Sequence, residues 1–149
     1  MTRLPPPLVT AIGLAAILAT ARLFPNLAME SLQGITAPII FCVLGVLLLI
    51  WSGVTFRRHQ TTVNPLSPER ASTLVTSGPF KFSRNPMYLA MVLFLWAGFV
   101  WAGNWAGLGI VLAVVIYFDI VQIRAEEIAL TEKFGDDFTD YCARVRKWI

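Results

Sequence analysis

The sequence predicts an all-α membrane protein with about four transmembrane helices, and two observations lead to that prediction. Only 14 % of the 149 residues are charged, and 56 % are hydrophobic, whereas a soluble domain carries about 25 % charged residues. The charges are also separated by long uncharged stretches, with 26 residues between Glu30 and Arg57 and 34 between Arg84 and Asp119. Because a membrane-spanning helix needs about 20 mostly apolar residues, an ordinary soluble enzyme and a disordered chain are both excluded.

One membrane domain, residues 1–149, is predicted to contain four crossings. The first ends at Pro25-Asn26, and Ala19-Thr20-Ala21 leaves open the alternative of a cleaved signal peptide. Pro38 suits the first turn of the second crossing. The 34-residue stretch would reach about 50 Å as one helix against a hydrocarbon core of about 30 Å, so Gly103-Asn104 is expected to break it into a hairpin. The predicted crossings are residues 8–24, 38–56, 86–102 and 105–123.

The basic residues predict how the helices are oriented. Five lie in the loop 57–85, five lie in the segment 124–149, and Arg3 precedes the first crossing, which makes eleven of the twelve. The opposite loops contain no Lys or Arg, and Arg22 can extend its side chain from the end of the first helix to the interface. Because cytoplasmic loops are enriched in Lys and Arg, both termini and both basic segments are predicted to be cytoplasmic.

The C-terminal part is predicted to form cytoplasmic amphipathic helices over residues 124–149. One helix is expected to continue out of the bilayer to Phe134 and to end at Gly135, and Asp136 begins a second, short helix. Apolar residues recur there at spacings of three and four, so this helix either lies on the membrane surface or covers a site in the protein. The apolar positions are Phe138, Tyr141, Cys142, Val145 and Trp148.

Composition also limits the partners. The net charge of +3 suits anionic lipid headgroups better than nucleic acid, because the basic residues flank apolar stretches. Cys42 and Cys142 are interpreted as free thiols. With one histidine and no Cys/His cluster, no metal site is expected. Membrane lipids are therefore the expected surroundings.

Polar residues next to the third crossing form the first candidate site. Asn85 is suited to an N-cap and Pro86 to the first helical position, so the start of this helix would present its positive dipole end beside Arg84. A carboxylate or phosphate would bind there readily. The alternative is that Asn85 only caps the helix and Arg84 contacts lipid phosphate.

The fourth crossing carries the second candidate site. Asp119, Gln122 and Glu126 stand at i, i+3 and i+7 and are predicted to share one helix face, with Asp119 and Gln122 contacting the substrate. Arg124 is expected to neutralise Glu127 at i+3 and to leave Glu126 for a cationic ligand. The alternative is a solvated acidic turn beyond the bilayer.

Two blocks of sequence resemble a known family. The stretch Leu74–Leu89 reads LVTSGPFKFSRNPMYL and is similar to a family pattern LVTSG-x-Y…RHP-x-Y. Glu126-Glu127, Phe134-Gly135, Phe138, Tyr141 and Val145 follow the pattern EE-x-x-L…FG-x-x-Y-x-x-Y…V. In this order, the blocks resemble the isoprenylcysteine carboxyl methyltransferases and phospholipid N-methyltransferases, which are integral membrane enzymes.

The resemblance implies a methyltransferase that binds S-adenosyl-L-methionine between the cytoplasmic loop, the hairpin and the C-terminal helices. The acceptor would be lipophilic and would reach the site from the bilayer. Arg84, Asn85, Tyr88 and Glu126 would be the catalytic residues. The implied cofactor contacts are Ser72, Thr73, Leu74, Val75, Phe80, Asn85, Pro86, Met87, Tyr88 and Glu126.

Departures from the family pattern at Asn85, Phe80 and Gln122 leave the acceptor open. Asn85 replaces a histidine and cannot act as a general base, and Phe80 replaces a tyrosine. Gln122 stands where eukaryotic carboxyl methyltransferases have an arginine associated with substrate. A prenylcysteine-like carboxylate, a phospholipid amine and a small thiol all remain candidate acceptors. The competing classes are a small four-helix transporter and a membrane reductase or scaffold with a related C-terminal half.

Overall fold

The computed structural model describes residues 4–29, 34–59 and 73–149, and within those ranges all regular structure is helical, as predicted. The helices are α1 (Pro6–Leu23), a 3₁₀ turn (Pro25–Leu27), α2 (Thr36–Arg58), a second 3₁₀ turn (Gly78–Lys81), α3 (Pro86–Ala102), α4 (Ala106–Tyr117), a π-helical turn (Phe118–Ile123), α5 (Arg124–Phe134) and α6 (Asp136–Arg144).

The predicted crossings agree with α1, α2 and α3 to within two residues at each end. From α4 through the π turn to α5, the chain forms one continuous helix of 29 residues, Ala106–Phe134. This helix, α1 and α2 are long and apolar enough to cross a membrane, and α3 is a shorter apolar helix of 17 residues. The protein therefore has three to four helices suited to span a bilayer.

The core is centred on α3, which packs against α1, α2 and α4. Ile17 of α1, Leu95 of α3 and Phe118 of the π turn are fully buried there. α1 therefore contributes to this core. On α2, a Cβ added to Gly45 would lie 2.7 Å from the ring of Phe94, so this contact requires the glycine.

The hairpin between α3 and α4 turns at Gly103-Asn104, as predicted. Gly103 has a φ of +57°, a conformation that glycine adopts readily. The Asn104 side chain is 1 % exposed, donates from Nδ2 to the Phe24 carbonyl at 2.8 Å, and accepts from the Ala106 N–H at 3.0 Å. The turn is thereby fastened to the loop that follows α1.

The C-terminal helices begin and end close to the predicted residues. α5 ends at Phe134 before Gly135, which has a φ of +52°, and α6 begins at Asp136. α6 ends at Arg144, however, and Val145 is extended. The predicted helical face therefore stops short of Val145 and Trp148, because the chain leaves the helix and crosses back toward the start of α3. We call residues 145–149 the C-terminal strap.

Candidate functional site

The loop before α3 is held against the end of α2. Gly78 has a φ of +60°, and a Cβ added to it would lie 2.6 Å from Thr55 Oγ1 on α2. The Phe80 ring packs edge-on against Phe56, with 5.0 Å between the ring centroids. His59 Nε2 and Ser77 Oγ are hydrogen-bonded at 2.8 Å. These contacts fix the chain that leads into Arg84 and Asn85.

Arg84 binds α5 and the end of α6 at the same time. Its Nε and Nη2 donate to Glu127 Oε1 at 3.2 and 2.6 Å, and its Nη1 donates to the carbonyls of Cys142 and Val145 at 3.3 and 2.7 Å. The prediction that Arg124 neutralises Glu127 is therefore wrong, because Arg124 is exposed and Arg84 forms the ion pair. Spacing along one helix could not show a partner 43 residues away.

Asn85 takes the N-cap position of α3 and Pro86 the first helical position, as predicted. The Asn85 side chain, however, makes no capping hydrogen bond to the helix. It donates from Nδ2 to the Lys147 carbonyl at 3.1 Å instead. The interpretation of Asn85 as an ordinary side-chain cap is thus wrong, because the side chain is held by its hydrogen bond to the strap.

Tyr88 and Glu126 connect the two halves of the candidate site. The Tyr88 hydroxyl donates to Glu126 Oε1. The Tyr88 ring is buried and packs edge-on against Phe118 of the π turn, at 5.1 Å between ring centroids. The start of α3 and the start of α5 therefore meet at a carboxylate whose position is fixed by a buried aromatic side chain.

The π turn changes which side chains share a helix face. Lys147 Nζ lies 3.2 Å from Asp119 Oδ1 and 3.9 Å from Glu127 Oε2, so Asp119 shares its partner with Glu127 rather than with Glu126. A π turn bonds i to i+5 and adds a residue to the helical turn, which advances the register by one across Phe118–Ile123. The predicted common face of Asp119, Gln122 and Glu126 assumed an uninterrupted α-helix and is wrong.

Gln122 lies on another side of the helix from the polar cluster. Its side chain is fully buried, and its Nε2 donates to the Leu4 carbonyl at 2.7 Å. Gln122 Oε1 has no hydrogen-bond partner among the described residues. The structure therefore places Gln122 against the start of α1 and apart from the Asp119–Lys147 contact.

The strap and α6 cover the loop before α3. The Tyr141 hydroxyl donates to the Phe80 carbonyl at 2.7 Å, and the Arg84 N–H donates to the Arg146 carbonyl at 3.0 Å. Trp148 Nε1 donates to Asp119 Oδ1 at 3.0 Å. Burial raises the pKa of Tyr141 well above its usual range, and burial also raises the pKa of the Cys142 thiol. These contacts favour the alternative in which the C-terminal part covers a site over the one in which it lies free on the membrane.

The implied cofactor contacts fall into separate groups. Thr73 and Leu74 line a cleft of about 450 Å³ together with Thr76, Phe134, Asp137, Asp140 and Arg144. Val75, Phe80 and Pro86 are buried in the packing beneath the loop, and Met87 is half-buried. Ser72 lies outside the described residues. Asn85, Tyr88 and Glu126 lie at the starts of α3 and α5, whereas Leu74 lines the cleft and the Phe80 ring faces α2.

Sequence reasoning missed Lys147 and Trp148 as members of the cluster, and it missed the partner of Glu127. Lys147 looked like part of a basic C-terminal end, and Trp148 looked like part of an apolar helix face. The adjacent residues Lys147 and Trp148 were the one signal in the sequence. A tryptophan next to a lysine is suited to a position between an apolar core and a polar cluster.

Comparisons with known proteins agree with the membrane-enzyme interpretation. Residues 34–137 match a family described as phospholipid methyltransferase. An uncharacterised protein of Haemophilus influenzae is 41 % identical over 66 residues, which cover 42 % of this chain and 100 % of that protein. No solved structure matches. Because the family match covers more than half of the chain and includes Arg84, Tyr88, Glu126 and Glu127, this protein belongs to the phospholipid methyltransferase family.

Proposed function

We propose that the chain transfers a methyl group from S-adenosyl-L-methionine to an acceptor carried in the membrane, at the cluster formed by Arg84, Tyr88, Glu126 and the strap. One observation carries the proposal. The two blocks that resemble membrane methyltransferases lie about 40 residues apart in sequence, yet Tyr88 contacts Glu126 and Arg84 contacts Glu127.

The residues present fit this ligand by charge and by shape. S-adenosyl-L-methionine supplies an electrophilic methyl group on a sulfonium and also carries an ammonium and a carboxylate. The carboxylate of Glu126 can oppose one of the positive charges, and its orientation is held by the Tyr88 hydroxyl. The cleft lined by Leu74 and α6 carries Asp137, Asp140 and Arg144, and Leu74 gives it an apolar surface suited to a purine.

The contribution of the protein would be alignment and exclusion of water. Arg84 holds α5 and the strap in one arrangement through its four hydrogen bonds. Trp148 covers the Asp119 side of the cluster and packs against the hydrophobic core. The strap therefore closes the cluster on one side, and the helix bundle closes it on the other.

A phospholipid amine is the acceptor that these contacts favour. A carboxylate acceptor would need a cation, but Arg84 is bound to Glu127 and two carbonyls, and Lys147 is bound to Asp119. Gln122 is neutral and donates to Leu4. A protonated amine must instead lose its proton before it attacks, and the proton acceptor that we propose is the carboxylate of Glu126, beside the Tyr88 hydroxyl.

The proposed orientation places this cluster at the cytoplasmic side, with both termini on that side. Most Lys and Arg residues lie at the end of the bundle that carries Arg84 and the strap, which is the pattern of cytoplasmic segments. A reporter fused after Ile149 should then read cytoplasmic, and one inserted at Gly34 should read periplasmic. The reverse result would place the cluster away from the cytosolic methyl donor.

A methyl-transfer assay in proteoliposomes tests the proposed activity. Methyl-labelled S-adenosyl-L-methionine is supplied with phosphatidylethanolamine, with a prenylcysteine and with a small thiol in separate reactions. We expect label in the phospholipid. If only the prenylcysteine or only the thiol is labelled, the proposed methyltransferase activity stands, but the proposal of a phospholipid amine as the acceptor is wrong. Binding of NADPH without binding of S-adenosyl-L-methionine would favour a membrane reductase and overturn the proposal as a whole.

A further inference from the structure

A basic and aromatic surface lies beside the end of α2, away from the Glu126 cluster. It consists of Arg57 and Arg58 at the end of α2 and of Lys81 and Phe82 at the end of the 3₁₀ turn, and we call it the basic wedge. All four side chains are exposed, and Phe82 is 68 % exposed. The exposed Phe82 follows Lys81 directly in the sequence and packs on Trp51, on the helix that ends in Arg57 and Arg58.

Along the axis of α2, the Phe82 ring lies nearer the middle of the helix than Arg57 and Arg58 do. The Phe82 ring lies 6.4 Å from the Trp51 ring, measured between centroids. Trp51 precedes Arg57 by six residues, which is about 9 Å along a helix. Because α2 is one of the helices apolar enough to span a membrane, Phe82 lies at the depth of its apolar part while Arg57 and Arg58 mark its end.

The loop cannot easily withdraw Phe82 from this level. Phe80, two residues earlier, is only 6 % exposed and packs on Phe56 of α2. Gly78 approaches Thr55 so closely that a Cβ would be 2.6 Å from the hydroxyl oxygen. The 3₁₀ turn is thus anchored to α2 at two points, and the outward direction of Phe82 follows from that anchoring.

No carboxylate of the described residues neutralises the cations of the basic wedge. Across residues 4–29, 34–59 and 73–149, no ion pair joins Arg57, Arg58 or Lys81 to a carboxylate. Elsewhere in the chain, by contrast, Arg84 and Lys147 each contact an acidic side chain. Arg57 and Arg58 at the helix end, with Lys81 next to Phe82 in the sequence, match the two parts of an anionic lipid. Its phosphate would lie at the level of the helix end and its acyl chains beneath.

We propose that the basic wedge is a binding site for an anionic phospholipid of the surrounding bilayer, which anchors the end of α2 and the loop before α3. The headgroup of this lipid binds to the basic wedge, and the lipid is not the methyl acceptor. The proposal does not depend on the proposed methyl transfer, because it needs only that α2 spans the membrane.

Titration of the full chain with lipid in an uncharged detergent, followed by native mass spectrometry, tests the site. We expect phosphatidylglycerol to bind more tightly than phosphatidylcholine. The triple variant Arg57→Gln, Arg58→Gln and Lys81→Gln should bind phosphatidylglycerol about a hundredfold more weakly, since each of the three cations near an anionic surface contributes about a factor of five. Its affinity for phosphatidylcholine should not change.

Matched variants separate a local site from general charge attraction. The control Arg22→Gln, Arg124→Gln and Arg146→Gln removes the same number of exposed cations and should keep the affinity for phosphatidylglycerol. The double variant Arg57→Lys and Arg58→Lys should keep it as well, and Phe82→Ser should lower it severalfold with all charges intact. Equal losses in the two triple variants, or no loss in the first, would overturn the proposed site.

Discussion

The two ends of the helix bundle are fastened by different chemistry. At the hairpin end, Asn104 and backbone hydrogen bonds join the loop after α1 to the turn between α3 and α4, and residues 24–29 and 103–106 contain no charge. At the other end, Arg84, Glu127, Lys147 and Asp119 form a chain of ion pairs between α5, the loop and the strap.

The difference is consistent with the proposal that the charged end carries the chemistry. A neutral side chain that satisfies buried backbone groups stabilises a turn without the desolvation cost of a charge. Partly buried charges are costly near an apolar bundle and are usually found where a ligand or proton is handled. We therefore expect changes at the hairpin end to alter stability alone and changes at the charged end to alter ligand binding as well.

The largest loss of stability is expected from Asn104→Ala. This change removes the side-chain donor to the Phe24 carbonyl, which keeps only the Leu27 N–H, and it leaves the Ala106 N–H without its partner. It should lower the free energy of unfolding in detergent by about 2–4 kcal/mol. Denaturant titration of the purified protein measures this loss. Affinity for S-adenosyl-L-methionine at a temperature where the variant is folded should stay unchanged, and a large loss of affinity would contradict the proposed division between the two ends.

A smaller loss of stability is expected from Glu127→Gln at the charged end. Arg84 would keep its charge but lose its anionic partner in a place where its side chain is 14 % exposed, so the free energy of unfolding should fall by about 1–3 kcal/mol. Glu132→Gln is the matched control, because Glu132 lies on the same helix and is exposed. If both variants unfold at the same denaturant concentration, the Arg84 pair contributes no stability.

The contact between α6 and the loop should depend on pH in the alkaline range. Burial raises the pKa of Tyr141 in the folded protein, so above the ordinary tyrosine pKa of about 10 the unfolded chain loses this proton while the folded one keeps it. Stability should therefore be complete below about pH 10 and fall above it, by up to about 1.4 kcal/mol per pH unit.

The variant Tyr141→Phe isolates this effect. At pH 7 it should cost about 1 kcal/mol, because the hydrogen bond to the Phe80 carbonyl is lost. Between pH 10 and pH 11, by contrast, the variant should lose less stability than the unmodified protein. Parallel slopes in the two proteins, measured by denaturant titration across that range, would show that Tyr141 is not the titrating group.

The fold could be predicted from the sequence because the strongest signals were local. Uncharged stretches predict α1, α2 and α3, and Gly103 and Gly135 predict where α3 and α5 end. The resemblance to membrane methyltransferases was confirmed by the family match. Each of these signals is contained within one segment, so no knowledge of tertiary contacts was needed.

The partners within the candidate site could not be predicted, for two physical reasons. Helical spacing assigns Glu127 to Arg124, but the ion pair comes from Arg84 on a separate segment. The π turn at Phe118–Ile123 shifts the register, and an uninterrupted α-helix was assumed for Asp119 and Glu126. The strap contacts also depend on where the chain leaves α6, which side-chain periodicity does not show.

The central claim is that Glu126 binds S-adenosyl-L-methionine. It is tested most directly by titrating the variants Glu126→Gln and Glu132→Gln with this ligand. Glu126→Gln keeps the shape and the Tyr88 contact but removes a charge, and a charge-assisted hydrogen bond to the ligand is worth about 2–3 kcal/mol. We predict an affinity roughly 30- to 150-fold lower for Glu126→Gln and an unchanged affinity for Glu132→Gln, with similar unfolding of both in detergent. Equal affinities in the two variants and the unmodified protein would contradict the account, and Glu126 would then belong to a solvated acidic turn.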